Sequence, residues 1–467
     1  MLGPQPPDDP ATVVRRPSMA LSVLQTYGAM LAGAVLGLAN AIVIARTLGP
    51  TGRGEVVFLT AMAWLTSNLA TLGVQEANSN FAAAEPRLRG SLATNSILMA
   101  AIFGVVAATF LTALIAIFPG VGGESDTFAR LMTFAALPFF IVDIYFRFML
   151  QADYRFSLVN MVLTIEFLSI VIVNGVFALL GVLSVRTAIL VWIAVQATGT
   201  LVMASGAVRS AGGLGRPDAA LARRMLTFGL KSHAGRILLL GNYRLDQWIL
   251  GAIAGPRELG LYSVAVAWGE GLYQLPTTMA AVERPDLVRA SRRDAARQAA
   301  RGVRLSLILT LLLAAGMFAS ADFLCATIFG EAFQGSIDDL RMLTVGVFGI
   351  VALKQLGNAL TGQSMPLLAT AAIGIAFVAT VGLDILLIPE YGGFGAALAS
   401  TLSYTVGGVV IAVIFARALE TRVSELIPRP SDVVWLWTRA RGALRTVLSR
   451  GTRTTANPES SEEERRP

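Results

Sequence analysis

About twelve apolar runs of near-bilayer length fill residues 18–420 of a 467-residue chain. A helix needs about 20 apolar residues to cross some 30 Å of hydrocarbon. In lipid every backbone N–H and C=O must be bonded within the structure, so only helices or closed barrels span it. These runs are too long, and too apolar on every face, to be barrel strands. The chain therefore reads as an all-α polytopic membrane protein with about twelve transmembrane helices. A composition that is 55% hydrophobic and only 14% charged fits no soluble domain of this size.

The spans fall at about 20–45, 56–78, 92–117, 127–150, 158–181, 187–208, 225–253, 258–281, 303–325, 339–362, 366–388 and 392–418. Cations orient them. The even-numbered connections carry Arg87, Arg89, Arg155, Arg209, Arg216, Arg223 and Arg224, then a run from Arg284 to Arg304. The odd-numbered connections carry few cations; the third has Glu124 and Asp126, and the ninth has Asp322, Glu331, Asp338 and Asp339. This places the even loops and both termini in the cytosol. Residues 1–18 are polar and Pro-rich, expected to be a disordered cytosolic lead-in. Residues 421–467 form a basic tail, and Trp435, Trp437, Arg439, Arg441, Arg445 and Arg450 suit either a helix on an anionic leaflet or a solvated segment. The net charge of +7 follows the membrane loops and carries no nucleic-acid signal; one cysteine and one histidine, Cys325 and His233, exclude an intramolecular disulfide and speak against a metal centre. No cofactor is expected.

The chain repeats itself. Gly49-Pro50 with Gly54 matches Gly255-Pro256 with Gly260 at an offset of 206, and Asn40 falls on Asp246. Further along the offset is 210, where Leu150-Gln151 falls on Leu360-Thr361 and Asn174 on Asp384. Six spans return the chain to its starting side, so two six-helix lobes, 19–210 and 211–420, are expected, related by a pseudo-twofold axis along the membrane normal. The repeat also isolates the cations. Lys231, Arg236 and Arg244 on the seventh span stand opposite Gln25, Met30 and Leu38, and Lys354 on the tenth stands opposite Ile144. The architecture builds these helices without charge in one half, so the charges in the other half point to substrate chemistry.

Lys231 and Lys354 are the chain's two lysines, and both lie within spans. A cation in hydrocarbon costs about 2.5–3.5 kcal/mol on insertion scales, so such residues have a role or a partner. Lys354 has Gln355 beside it and Asn358 one turn on; an ion pair with Glu270 is its alternative. Lys231 is near enough to the cytosolic end to snorkel. Arg244 has Trp248 at i+4, a stacking geometry, and Asp246 nearby, which favours a structural role. Arg147 has Asp143 at i−4, the spacing of a local ion pair. Arg46 and Arg53 flank Gly49-Pro50 and read as headgroup anchors. His233 reads as an ordinary hydrogen-bonded core residue rather than a proton carrier. The embedded acids are Asp143, Glu166, Asp246, Glu270 and Asp384; any of them could bind a coupling proton or sodium ion, with Asp246, Glu270 and Asp384 taken as the candidates.

Four motifs carry a family resemblance. Ala45-Arg46-Thr47-Leu48-Gly49-Pro50 through Gly54 resembles the R-x-L-G-P-x-x-x-G after the first helix of polysaccharide transporters. Arg244 through Gly251 with Leu259 through Ala265 is similar to their seventh-to-eighth junction, and Ile328 through Phe333 to the loop before their tenth helix. Asp384 through Ala397, with Ile388-Pro389-Glu390-Tyr391-Gly392, is similar to N-x-x-L-I-P-x-Y-G-x-x-G-A-A at the eleventh-to-twelfth junction, with Asp384 in place of the frequent Asn. The resemblance is to the oligosaccharide flippases of the multidrug/oligosaccharidyl-lipid/polysaccharide flippase superfamily. It implies transport of an undecaprenyl-diphosphate-linked oligosaccharide from the inner to the outer leaflet by alternating access through a cationic cavity, and no enzymatic activity. On that reading Lys231, Arg236 and Lys354 attract the diphosphate, Tyr27, Gln355 and Asn358 meet the sugars, and Arg244 also belongs to the central cavity. The partners are the lipid-linked glycan, anionic lipids at the cytosolic face and polysaccharide assembly proteins. The rivals are a multidrug or organic-cation antiporter, whose cavity should be acidic, a cell-envelope scaffold, and a glycan polymerase or ligase, which would need a larger outer loop than 322–338.

Overall fold

The computed structural model describes residues 19–434 and residue 438. The polar amino-terminal lead-in, the two tail tryptophans and the tail arginines from Arg439 to Arg450 lie outside the described residues. Among the described residues the α-helices are α1 (Met19–Ala70), α2 (Val74–Ala84), α3 (Arg89–Ile117), α4 (Thr127–Ala135), α5 (Leu137–Ala152), α6 (Phe156–Leu179), α7 (Val185–Ser210), α8 (Ala219–Ile253), α9 (Gly255–Arg289), α10 (Arg292–Ala319), α11 (Ser336–Gly362) and α12 (Pro366–Ala418). Among the described residues, eight helical stretches are long and apolar enough to cross a membrane. Two of these, in α1 and α12, are double length and bent once, at Gly49 and Gly392. The remaining long helices, α8 and α9, have 35 residues each, enough to span. The protein is a multi-pass, all-α membrane protein, and the twelve expected spans find their helices.

Local chemistry explains the breaks. Gly49 adopts φ 67° and Gly255 φ 85°, the left-handed region that L side chains avoid. In each case proline follows as the first residue of the next helix, where its missing N–H is not needed. Gly392 has φ 54°, and the Glu258 carboxylate accepts from the Gly393 N–H at 3.1 Å, satisfying a donor that the bend exposes. Elsewhere Asp126, Ser184, Asp218 and Ser291 cap helices by accepting from backbone N–H groups one turn on.

The backbone confirms the repeat. Tyr154 and Ser364, 210 residues apart, both take positive φ, 58° and 62°. The N–H of Arg155 bonds Leu150 O at 2.9 Å, and that of Met365 bonds Leu360 O at 2.8 Å. The fourth and tenth spans thus end in the same hydrogen-bonded turn.

Two compact packing units are present. The first comprises Met1–Ala267, Ala321–Met342 and Phe377–Ser400. Its core includes Leu92, Met99, Ile141, Tyr145, Phe146, Leu150 and Met203. The buried Tyr145 hydroxyl donates to Thr71 O at 2.8 Å. The second comprises Trp268–Ser320, Leu343–Ala376 and Thr401–Pro467. There α10 offers a small-residue face, Ala295, Ala296, Ala299 and Ala300, to a core with Leu353, Leu356, Leu360 and Phe415. Arg304 anchors the start of the tail in this unit, donating to Asp432 at 2.8 Å and to Glu425 O at 2.7 Å.

Within the first unit the connections sort onto two faces. Arg89 pairs with Asp153 at 2.6 Å, Ser210 donates to the same Asp153, and Arg224 pairs with Glu85 at 2.9 Å. These tie the second, fourth and sixth connections together. Arg46 donates to Thr327 O and Ile328 O at 2.5 and 2.8 Å, and Arg186 pairs with Asp126 at 2.7 Å, tying odd connections to odd ones. Arg53 is not a headgroup anchor. It is 4% exposed, donates to Ser263 Oγ at 2.9 Å and Ala41 O at 2.9 Å, and stacks on Phe329. A guanidinium can be buried here because backbone carbonyls and a hydroxyl meet its donors.

Beside that arginine the two repeats meet reciprocally. A Cβ on Gly54 would lie 1.6 Å from Pro256 O, and one on Gly260 would lie 1.9 Å from Pro50 O. Residue and partner exchange roles, the contact pattern of a twofold relation.

The Asp126–Arg186 pair gives a pH prediction. The side-chain hydrogen bond from Arg186, helped by the Ala129 N–H, holds the Asp126 carboxyl below its usual range. A depressed carboxyl stabilises the fold above its unfolded pKa, and that contribution fades as pH falls through the folded value. The thermal stability of wild type over Asp126→Asn should therefore be largest near neutrality and shrink below about pH 4. A difference that does not change from pH 7 to pH 3 would contradict the assignment.

Candidate functional site

A cavity of about 400 Å³ opens inside the first unit. Its wall is built by helical periodicity. On α5, Phe140, Asp143, Ile144, Arg147 and Phe148 lie at i, i+3, i+4, i+7 and i+8, a single face. On α6, Leu163, Glu166, Phe167 and Ile170 repeat the pattern. Trp64, Ser67 and Asn68 of α1, Trp192 and Gln196 of α7, and Arg236 and Leu240 of α8 complete it.

The charges are balanced. Arg147 Nη2 meets Asp143 Oδ2 at 2.5 Å, the local pair its spacing foretold. Arg236 Nη1 lies 3.4 Å from Glu76 Oε1 and Nη2 lies 3.5 Å from Asn68 Oδ1, with the guanidinium over Phe148. Glu166 is 5% exposed, and its Oε1 bonds to nothing among the described residues. Gly199 stands against it, since a Cβ there would lie 1.7 Å from Oε1. The cationic chamber expected from the sequence lay between the two lobes; this cavity lies within the first unit and holds two guanidiniums and two carboxyls. The reason is that Asp143 and Glu166 sit on separate helices from Arg236, and only the packing of α5, α6 and α8 brings them to one space.

A second cavity of about 260 Å³ shares the Phe167, Ile170 and Trp192 wall. Asn40, Thr60, Asn174 and the bonded Arg53 also line it. Asn174 Nδ2 donates to Asn40 Oδ1 at 2.8 Å. The repeat maps Asn40 and Asn174 onto Asp246 and Asp384, so an amide pair in one half is replaced by two acids in the other. Asp384 is fully buried with neither oxygen hydrogen-bonded among the described residues. Asp246 accepts from the Tyr262 hydroxyl at 2.7 Å, and one turn away Thr380 donates to Asn242 at 3.0 Å.

Of the substrate-binding and coupling-ion candidates named from the sequence, Arg236 alone lines the described cavities; Asp143 and Arg147, read as a local ion pair, and Arg53, read as an anchor, line them too. Arg244 stacks over Trp64 at 6.0 Å, whereas Trp248, its expected partner, donates its indole N–H to Val121 O. Turning Arg244 to Trp64 is a consequence of α1 and α8 packing together, a contact no local spacing reveals. Lys231 is exposed on α8. His233 bonds Leu69 O through Nε2 at 2.9 Å, as an ordinary core histidine. Lys354, Gln355, Asn358 and Glu270 belong to the second unit. There Lys354 Nζ lies 4.5 Å over the Tyr273 ring, and Glu270 is half-buried on α9. Gln355 donates to Pro276 O at 3.0 Å and Ser306 Oγ at 2.6 Å, and Asn358 to Ala280 O at 2.6 Å; both amides tie helices together. The side chain of Tyr27 lies outside the described residues. Sequence reasoning named Glu166 only as one of five embedded acids and passed over Trp64, Trp192 and Gln196, although acid and aromatic residues at i, i+3, i+4 spacing on neighbouring spans were a usable signal.

Residues 21–279, more than half of the chain, match the family model described as polysaccharide biosynthesis protein. The chain belongs to that family. Solved structures give the same fold at low identity. A lipid II flippase MurJ in an inward closed conformation matches with TM-score 0.72 at 14% identity, covering 86% of this chain and 89% of that one. An inward-facing multidrug resistance MATE transporter of the MOP superfamily matches with TM-score 0.68 at 13% identity, covering 85% and 98%. A MOP superfamily transporter from Pyrococcus furiosus, described by the reverse polarity of its binding pocket, matches with TM-score 0.59 at 14% identity, covering 88% and 97%. No curated protein matches. The family member described here is thus a membrane protein of polysaccharide biosynthesis with a flippase and transporter fold.

Proposed function

We propose that the protein carries an undecaprenyl-diphosphate-linked oligosaccharide from the inner to the outer leaflet of the bacterial plasma membrane, with both termini in the cytosol. The physical difficulty is the glycan. Each hydroxyl taken bare from water into hydrocarbon costs roughly 4–8 kcal/mol, so even a short glycan meets a barrier of tens of kcal/mol. A polar chamber within an apolar helix bundle removes most of that cost, while the lipid tail stays in the bilayer. The observation that carries this reading is the charged and aromatic cavity of about 400 Å³ within spans that are otherwise apolar. Alternating exposure of the chamber to the two sides then completes the transfer. Lys231, Arg244 and Lys354 remain candidates for the diphosphate. Asp246, Asp384 and Glu270 remain candidates for the coupling ion; the unbonded buried carboxyl of Asp384 is the best placed of these to gain by binding a proton or cation.

The acids Asp143 and Glu166 favour one rival, an organic-cation antiporter, for which a carboxyl in an aromatic cavity is suitable chemistry. A single experiment separates the two. Deleting the protein from its source organism should cause one undecaprenyl-linked glycan to accumulate on the cytosolic leaflet, read by mass spectrometry of extracted lipids. Unchanged lipid intermediates together with increased drug susceptibility would transfer the assignment to the antiporter.

A further inference from the structure

The larger cavity has a chemical bias that its two arginines conceal. Its wall holds Asp143 Oδ1 and Glu166 Oε1, which accept, and Arg147 Nε and Arg236 Nε, which donate; all four are buried and bond to nothing among the described residues. The wall therefore carries donor and acceptor side chains together, with neither kind alone. A diphosphate offers acceptors alone, and two carboxyls in the same space oppose it. An organic cation offers no acceptor, and two guanidiniums oppose it. A sugar hydroxyl both donates and accepts, so it can meet either kind of group. The aromatic rings supply the second half of the match. Trp64, Phe140 and Trp192 present flat apolar surfaces to the same space, and Phe140 holds Trp192 at 4.8 Å between ring centroids. Such surfaces suit the C–H faces of a pyranose. The volume of about 400 Å³ lies in the range of small-molecule sites.

We propose that this cavity is a glycan subsite that takes an uncharged pyranose ring, and that the diphosphate is held elsewhere. The proposal rests on the flippase reading above and refines it: the paired charges read sugar hydroxyls, with Trp192 as the stacking platform, and do not neutralise phosphate.

Hydroxyl-radical footprinting of the full-length protein in nanodiscs tests this, because mass spectrometry reads each tryptophan separately. Three probes are compared at millimolar concentration. The first is surface polysaccharide of the source organism, partially hydrolysed to di- and trisaccharides and freed of phosphate. The others are inorganic pyrophosphate and tetraphenylphosphonium. The saccharides should lower oxidation of Trp64 and Trp192 several-fold and leave Trp248, which lies outside the cavity, unchanged. Neither of the other probes should do so. In Asp143→Asn/Glu166→Gln the cavity wall loses both its carboxyls and keeps its two arginines, and pyrophosphate should now shield both tryptophans. Shielding of the wild type by pyrophosphate, with or without the saccharides, overturns the subsite and leaves the flippase reading intact. Shielding by tetraphenylphosphonium alone removes both. No shielding by any probe in the wild type also overturns the subsite.

Discussion

Arg147→Ala is expected to lower the stability of the protein by about 3 kcal/mol and to abolish polysaccharide export. Asp143 is buried beside Arg147 at 2.5 Å, and removing the cation leaves an uncompensated charge in a low-dielectric space, which costs about 3–5 kcal/mol when both partners are deeply buried. The arginine side chain keeps 24% of its exposure, so the lower end applies. Thermal unfolding in detergent measures the first effect and surface polysaccharide the second. The variant Asp143→Asn/Arg147→Gln separates them, because removing both charges restores most of the stability. Export should remain lost in the double variant if Arg147 faces the glycan. Full export from it would reduce Arg147 to a neutraliser of Asp143.

Gly54→Ala should be the more damaging of two superficially similar changes in the first motif. The added Cβ would lie 1.6 Å from the Pro256 carbonyl oxygen, a backbone atom that cannot rotate aside. The contact can be relieved only by moving α1 and α9 apart, beyond the 1–3 kcal/mol typical of an overfilled core. Gly49→Ala meets no atom within 4 Å and is strained only by φ 67°, worth about 1–2 kcal/mol. Gly54→Ala should therefore fail to accumulate in the membrane, or accumulate with a much reduced melting temperature, while Gly49→Ala accumulates. Equal behaviour of the two in immunoblots of membrane fractions would contradict the close approach of the repeats.

The fold was largely legible because its causes are local. Apolar run length fixes a spanning helix, and Gly-Pro fixes a bend whether at residue 49 or 255. The repeat was legible for the same reason: the turn at Tyr154 and Ser364 is a backbone conformation that each segment makes for itself. The ion pair of Arg147 with Asp143 and the core role of His233 also followed from helix geometry. Arg53 and Gln355 were less accessible. A cation beside a loop and an amide in a span look alike whether they face lipid headgroups, a cavity or another helix, and their partners at Ser263 and Ser306 lie far along the chain.

The same division applies to function. The sequence by itself determined a twelve-span, two-repeat membrane protein and the family motifs, since hydropathy and backbone conformation act over a few residues. Tertiary structure alone decided what the cavity contains. Asp143, Glu166 and Arg236 stand on three helices with no sequence relation between them, and a charge's partner depends on distance in space. Only their packing brings two carboxyls and two guanidiniums to one space.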